Sequence, residues 1–393
     1  MLLYQILNKD SVVATVKYMP ENKMFTLLEC LGNFIVELTD RNITAWVFDR
    51  RAPISRMFMD TIYSKLDIQD IRNYIKACSA VSLNDTFWIK PVNSKLTWEQ
   101  VSPYTRPFNN TVASSMMGYG NLCKTMLNSL VSSPELSTEG KFAKCWQRRN
   151  GNIYLLKRGK CGLFGTDGRE TFSEYFSFQI AKALGIRNIA DYDLGTFKGD
   201  TVVFSKAFTT EQFGFLPLSI VLGDKSPEDE LNFMRSIGSE LQFRELMLLD
   251  SITLNYDRHL NNIGVLIYNN SLDVRRLAPI FDNNLALFPS IVLKNRTKAD
   301  VWAQIRNNNV PKRNFSNFIE QAIYYLTPEL AKRLETLTRF NLNQHHTIKV
   351  DIEYFKLVDG FTRYMARTIL DVYYGRIVLD PFNSVYSSPY GLI

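Results

Sequence analysis

Between residues 255 and 266 the chain reads NYDRHLNNIGVL, set between the apolar run FRELMLLDSITL and a further apolar segment. An acid, a base, one of only three histidines and three asparagines stand where the surrounding pattern predicts core. Unpaired buried charge costs several kcal/mol, so such a cluster is either satisfied internally or retained for chemistry. Any fold for this chain has to supply partners here.

The next segments suggest how. Residues 263–268 and 277–281 are two short apolar runs with NNS between them, which predicts a β-hairpin. The chain enters and leaves a hairpin at the same end, so Asp257 and Asn262 are expected to approach Asp282, since paired strands lie about 5 Å apart. Two carboxylates and a carboxamide oxygen suit a hard cation such as Mg²⁺ better than zinc. Magnesium commonly accompanies phosphates, and phosphoryl transfer needs a group for the acceptor hydroxyl, metal ligands and a further cation. Asp257 fits the first role, and Asn262 and Asp282 the second. The cation is sought on the upstream strand IYLLKRG, whose end carries Lys157 with Ile153 and Leu155 on the same face, a floor for an adenine pocket. The preceding loop SSPELSTEGKFAK offers small hydroxyl residues and Gly140, where backbone N–H groups could cover phosphates.

The rest of the chain divides into recognisable stretches. Residues 2–47 hold five apolar runs (LLYQIL, VVATVKY, MFTLLE, NFIVEL, ITAWVF) broken by polar turns, the spacing of hairpin-connected strands. Helical spacing follows over 53–80, with Ile54, Phe58, Ile62 and Leu66 in one row and a second helix over 68–78. From SLNDTFWIKP to about Tyr119 the sequence reads as irregular. Strands are predicted over 138–146 and 152–158, joined at Asn150-Gly151, and over 201–207. A capping box, TFSE, is read at Thr171 and Glu174. Beyond 220 helices dominate, with Ser226-Pro227 and Thr327-Pro328 as starts, a helix over 240–253 and a last one over 353–373 before an irregular tail. We therefore expect three parts: an α+β domain over 1–120 for partner or substrate recognition, a nucleotide-binding part over 121–220, and a helical part over 221–393 with the catalytic loop and metal-binding hairpin.

Taken together, NYDRHLNNIGVL and APIFDNN resemble the catalytic and metal-binding segments of HipA-like serine/threonine kinases, and more distantly the D-R-H-x-x-N segment of phosphatidylinositol kinases. SLNDTFWIKP, SSPELSTEGKFAKCW, IYLLKRG, SEYFSFQIAKALGI and PIFDNNLALF are similar to segments of one bacterial branch of that family. The resemblance covers residues 80 to 290. It implies an α+β, bilobed protein-kinase-like fold, with a β-rich lobe and a mostly helical lobe, and transfer from ATP with Mg²⁺ to a serine or threonine of a protein. It makes Asp257 the catalytic base, Asn262 and Asp282 the metal ligands, and Lys157 the phosphate-binding lysine. Ser137, Thr138 and Gly140 belong to the phosphate loop, and Lys206 to Phe208 form the adenine-binding hinge. Autophosphorylation in that loop is implied, with Ser133, Ser137 and Thr138 as acceptors, as is a small DNA-binding antitoxin partner for a toxin kinase. Two departures stand out: no G-x-G-x-x-G loop is present, and Asn283-Asn284 follows Asp282 where D-x-G is the family pattern.

Several residues carry competing assignments. Glu174 either completes the capping box or pairs with the strand lysine. Asp257 could cap a turn, with Arg258 paired to a neighbouring acid. His259 reads as structural, His345 and His346 show no metal partner, and the tryptophans read as core or interface anchors. Five scattered cysteines form no zinc or disulfide pattern. Lacking a leader pattern or a long apolar stretch, the chain is expected to be cytoplasmic, without membrane attachment. The net charge of +7 admits anionic partners, but the basic pairs are scattered and form no stripe for direct nucleic-acid binding. A lipid or small-molecule kinase, and an inactive nucleotide-binding interaction module, are the alternatives to a protein kinase.

Overall fold

The computed structural model describes residues 2–120, 134–160, 168–307, 310–311 and 313–377. Its contacts divide the chain into two units, one of 1–157, 206–216 and 265–275, the other of 158–205, 217–264 and 276–393. Both mix helices with antiparallel strands. Among the described residues no helix is long and apolar enough to cross a membrane.

The first unit opens with strands β1 (Leu3–Asn8), β2 (Ser11–Met19) and β3 (Met24–Cys30), as the first three apolar runs predict. The fourth strand is β4 (Phe87–Pro91), which completes a sheet of order β3-β2-β1-β4. It arises from SLNDTFWIKP, expected to be irregular, because Phe87, Trp88 and Ile89 are all fully buried there. Conversely NFIVEL forms no strand, and ITAWVF lies in helix α1 (Asp40–Asp49). Thr39 caps that helix by accepting from the Asn42 N–H, and Ile43, Trp46 and Val47 present a helical stripe to the core. The helix also completes the sheet edge: Thr44 Oγ1 accepts from Phe25 N–H at 2.9 Å and Asp40 Oδ1 from Leu27 N–H at 2.8 Å. These side-chain acceptors satisfy donors that β3 would otherwise leave open, which the apolar pattern alone does not register.

Helix α2 (Met59–Leu66) starts later than the spacing predicts, because Phe58 at φ 70° breaks the helical backbone and leaves Ile54 exposed. Helix α3 (Ile71–Cys78) agrees with the sequence. The short helices α4 (Trp98–Val101) and α5 (Asn110–Met116) occupy the supposedly irregular stretch, started by Thr97 and Asn109 caps. Strands β5 (Lys144–Arg149) and β6 (Asn152–Arg158) form the expected hairpin. Asn150 and Gly151, at φ 48° and 76°, are its two-residue turn. Residues 138–143 are not strand; a 3₁₀ turn over Pro134–Ser137 leads into a loop instead.

In the second unit helix α6 (Arg169–Ala183) begins after Gly168, whose φ of 68° a side chain would resist. The TFSE capping box is therefore overturned: Thr171 lies inside the helix, its hydroxyl donating to Gly168 O at 2.7 Å, and Glu174 is buried within it. Strands β7 (Tyr192–Phe197) and β8 (Asp200–Lys206) pair antiparallel. Strand β9 (Phe213–Pro217) leads to helices α7 (Leu218–Val221), α8 (Pro227–Ser236) and α9 (Glu240–Thr253). Ser226 caps α8 and Pro227 opens it, as read from the sequence. Strands β10 (Gly264–Tyr268) and β11 (Val274–Leu277) form a hairpin that joins β9 in a three-stranded sheet, most of which belongs to the first unit.

Helices α10 (Lys298–Asn307), α11 (Phe318–Tyr325), α12 (Pro328–Leu337) and α13 (Ile352–Tyr373) complete the second unit. Their apolar faces meet α6 and α9 in one core containing Phe176, Leu249, Phe318, Leu334 and Phe361. The predicted irregular tail, LDPFNSVYSSPYGLI, lies outside the described residues.

Candidate functional site

Helix α9 ends when Leu254 turns left-handed at φ 49°, sending the chain out of the core as the polar cluster begins. The loop then folds on its own backbone. His259 N–H donates to Asp257 O and Asn262 N–H to His259 O, each at 2.8 Å, closing a 3₁₀ turn over Leu260–Asn262.

Arg258 holds this loop. Arg258 is 6 % exposed, and its guanidinium forks onto Asp250, which is 1 % exposed, with Nε to Oδ2 at 2.8 Å and Nη2 to Oδ1 at 3.0 Å. Nη1 donates to Asn262 O at 3.0 Å and to Phe281 O at 2.5 Å, and Nη2 reaches Asn283 Oδ1 at 2.6 Å. Burial alone would discharge Arg258, but the facing Asp250 carboxylate outweighs it and holds the group above its usual value. One buried cation thus ties the end of the loop at Asn262 to the residues on either side of Asp282. The buried charge of Arg258 is met by Asp250 on α9, and that pairing positions the loop.

Arg258 is what links Asn262 to the residues flanking Asp282, and the chain reaches that turn by a route other than the expected strand. The second strand ends at Leu277 rather than spanning 277–281. Ala278 N–H still donates to Gly264 O at 2.9 Å, after which Ile280 changes partner, its N–H donating to Asn188 O and its carbonyl accepting from Ala190 N–H, each at 2.9 Å. Asp282 N–H then donates to the buried Tyr192 hydroxyl at 3.1 Å. The left-handed position belongs to Asp282 itself, φ 58°, and not to the asparagines after it. Aspartate tolerates that conformation, so the missing D-x-G glycine leaves the turn intact. Asn283 instead uses its side chain to accept from Arg258.

Among the described residues no group of three or more His, Cys, Asp or Glu gathers as a metal cage. The donors expected from the sequence are the oxygens of Asp257, Asn262 and Asp282. Few protein ligands, all oxygen, fit Mg²⁺, which keeps waters and binds phosphates alongside one or two carboxylates.

The remaining sequence-predicted residues divide between the units. Glu174 lies in the second. Lys157 lies in the first, opposite Lys144 in the β5–β6 ladder, and is 6 % exposed rather than a solvated strand end. Ala207, in the predicted hinge between exposed Lys206 and half-buried Phe208, donates its N–H to Ile153 O at 2.8 Å, beside that strand. Phe208 packs edge-on to Phe215. In the loop, Ser137 is buried with its hydroxyl 2.6 Å from Tyr74 Oη. Thr138 Oγ1 donates to Pro134 O at 2.7 Å and accepts from Trp146 Nε1 at 2.9 Å. Arg56 fastens the whole turn, donating to the carbonyls of Glu135, Thr138 and Gly140. Burial pulls Arg56 down to about 10, which leaves it charged at neutral pH. Ser133 lies outside the described residues.

No protein-family model matches the sequence. The serine/threonine-protein kinase CtkA of Helicobacter pylori strain J99 is 29 % identical over 206 residues, 45 % of this chain and 62 % of that protein. The chain thus spans less than two thirds of the length of this curated relative. Among solved structures, HipA of Shewanella oneidensis MR-1, in a toxin–antitoxin complex with HipB and operator DNA, matches over 95 % of this chain and 97 % of its own. The TM-score is 0.52 at 12 % identity. The chain shares the fold of HipA. A crystal structure of the H. pylori proinflammatory kinase CtkA matches over 59 % of this chain and 93 % of its own, with a TM-score of 0.43 at 20 % identity.

Within the HipA-like fold, four residues that matter to the site escape a motif-based reading. Asp250 stands on the stripe of Phe243, Leu246 and Met247, and an acid on an apolar stripe is the signal that a cation awaits it. Tyr192 and Asn283 act through single hydrogen bonds that no spacing announces. Arg56 lies 79 positions before Glu135 and is drawn to its loop only by the tertiary fold.

Proposed function

We propose that this chain is an ATP- and Mg²⁺-dependent serine/threonine kinase of HipA type. The observation that carries the reading is the Arg258 clamp, which joins Asn262 to the turn at Asp282, with Asp257 directly before Arg258 in the same loop. The sequence similarity to CtkA and the fold shared with HipA support it.

In this reading Asp257 accepts the proton of the acceptor hydroxyl, while Asn262 and Asp282 hold the metal. Bound magnesium would neutralise charge on the transferring phosphoryl group and set it in line with the acceptor. Arg258 and Tyr192 are positioning residues that keep the Asp282 turn in register. In the first unit Lys157 is proposed for the phosphates, the Ser137 to Gly140 turn for covering them, and the Lys206 to Phe208 segment for adenine. Since Ala207 N–H is already committed to Ile153 O, adenine recognition there falls to other groups of the segment. Autophosphorylation of Thr138 or Ser137 requires the turn to leave Arg56, Trp146 and Tyr74. The 1–120 domain is proposed to recognise a partner or substrate. The presence of HipB with HipA suggests a small DNA-binding antitoxin, and with it a toxin role, for this chain also.

The test is incubation of the full chain with Mg-ATP, followed by intact-mass and peptide mass spectrometry. We expect phosphate on the loop or on an added protein, and none with Asp257→Ala or Asp282→Ala. Labelling that persists unchanged in both variants, or no labelling of any protein by the native chain, refutes the reading.

A further inference from the structure

The segment after Asp282 is pinned at several points. Leu287 N–H donates to Thr253 O at 2.7 Å, at the end of α9, and Leu287 O accepts from the buried Tyr354 hydroxyl at 2.9 Å. Ile291 O accepts from Arg169 Nη1 at 2.7 Å, and Arg169 is itself held by Asp351 and the Tyr354 ring. Val292 exchanges two hydrogen bonds with the Gln304 side chain, at 3.0 and 3.1 Å. Backbone so fastened holds residues 293–298 in a set place.

Those residues are basic. A turn closes from Arg296 N–H to Leu293 O at 3.2 Å, with Asn295 left-handed at φ 57°, and exposes Lys294 and Arg296. Exposed Lys298 starts α10, and exposed Arg306 stands two turns later on the same face. The one acid in 289–307, Asp300, is engaged by Thr297, whose N–H and hydroxyl donate to Oδ2 at 3.0 and 2.8 Å. Asp300 stays ionised, so the patch sets the four cations Lys294, Arg296, Lys298 and Arg306 against one carboxylate, a net-positive surface on a segment held at one end by the candidate catalytic loop. The one aromatic residue of 293–306, Trp302, is half-buried against Phe361 and Tyr364 instead of offering a free stacking face, which disfavours a nucleic-acid partner.

We infer that the 293–298 turn and the Lys298–Arg306 face of α10 dock the polypeptide acceptor, and that this acceptor is acidic around its serine or threonine. The inference rests on the kinase reading for the word acceptor, while the docking itself is measurable without phosphate transfer.

The experiment uses the full chain and labelled peptides in which alanine replaces the acceptor serine, flanked by glutamates or by lysines, followed by fluorescence anisotropy at low and high salt. The acidic peptide should bind about five- to tenfold more tightly than the basic one, the sum of a few exposed charge pairs. Salt should weaken it. Lys294→Glu with Arg296→Glu, both at exposed positions, should abolish or invert the preference. In matching assays with serine peptides and Mg-ATP, that variant should raise KM for the acidic peptide with kcat held. Equal binding of both peptides, or a preference untouched by the charge reversal, overturns the inference. So does tighter binding of a single-stranded oligonucleotide of the same length, which would make the patch a nucleic-acid surface. Charge-selective binding without phosphate transfer to any peptide supports the docking surface and fails the kinase reading; transfer without charge preference does the reverse.

Discussion

Replacing Arg258 by methionine removes a cation but keeps most of the side-chain length, and the structure sets what is lost. Asp250, 1 % exposed, retains only the Asn255 amide, at 3.1 Å, of its side-chain donors. The carbonyls of Asn262 and Phe281 and the oxygen of Asn283 lose a charged donor as well. Breaking a buried pair by removing one partner costs about 3–5 kcal/mol. For a cooperative unit of this size that lowers Tm by roughly 6–20 °C. Without its partner the buried Asp250 carboxyl would bind its proton more tightly than in the unfolded chain. The deficit should therefore be least in acid and grow as pH rises above the ordinary aspartate range. The assay is urea and thermal unfolding of Arg258→Met, Asp250→Leu and the double variant, each at acid and neutral pH. The double variant should be less destabilised than the sum of the singles by about 2 kcal/mol or more. Arg258→Lys should fall between, since an ammonium cannot reproduce the fork. Strictly additive singles, each costing under about 1 kcal/mol, would refute the clamp as an energetic unit.

Three further outcomes are expected. Burial pushes the Glu135 carboxyl up to about 7 from 4.5, so its folded form prefers the proton and stability should fall as pH rises between these values. Glu135→Gln should flatten that slope in thermal melts and exceed the native chain above pH about 7. His345 is held below its ordinary value by burial and by His346, and its Nδ1 accepts from the N–H groups of Thr347 and Ile348. Its contribution is present above pH 6.5 and lost on acidification, so the protection of those two amides against hydrogen exchange, taken relative to the intrinsic rate at each pH, should fall in acid while α13 stays protected. Arg56→Met should release the 135–140 turn, costing about 1–3 kcal/mol for the unsatisfied carbonyls and speeding proteolysis there more than in α2.

How much of the fold and the site was legible depends on the range over which each feature is determined. The starts at Ser226-Pro227 and Thr327-Pro328, the Asn150-Gly151 turn and the span of α9 depend on neighbours a few positions away, and the sequence displays them. The proximity of the Asn262 end of the loop to residues 281–283 was legible from the expected hairpin, although Arg258, and not strand pairing, makes the connection. The assignment failed where a distant partner decides. ITAWVF alternates well enough for a strand, yet it is helical because Thr39 caps it and β3 takes its polar side chains. TFSE has the letters of a cap, but the helix has already begun at Arg169, after Gly168. Residues 277–281 are apolar enough for a strand, but half of the run answers to Asn188 and Ala190 instead of to β10.

The way α1 lies over β3 bears on what happens at high concentration. An outermost strand recruits a neighbouring molecule through amides that have nothing to do, and here Phe25 and Leu27 are already engaged by a hydroxyl and a carboxylate of the same chain. Solubility of the amino-terminal sheet is thus written into Thr44 and Asp40, and a chain lacking both would be free to zip onto its own copies.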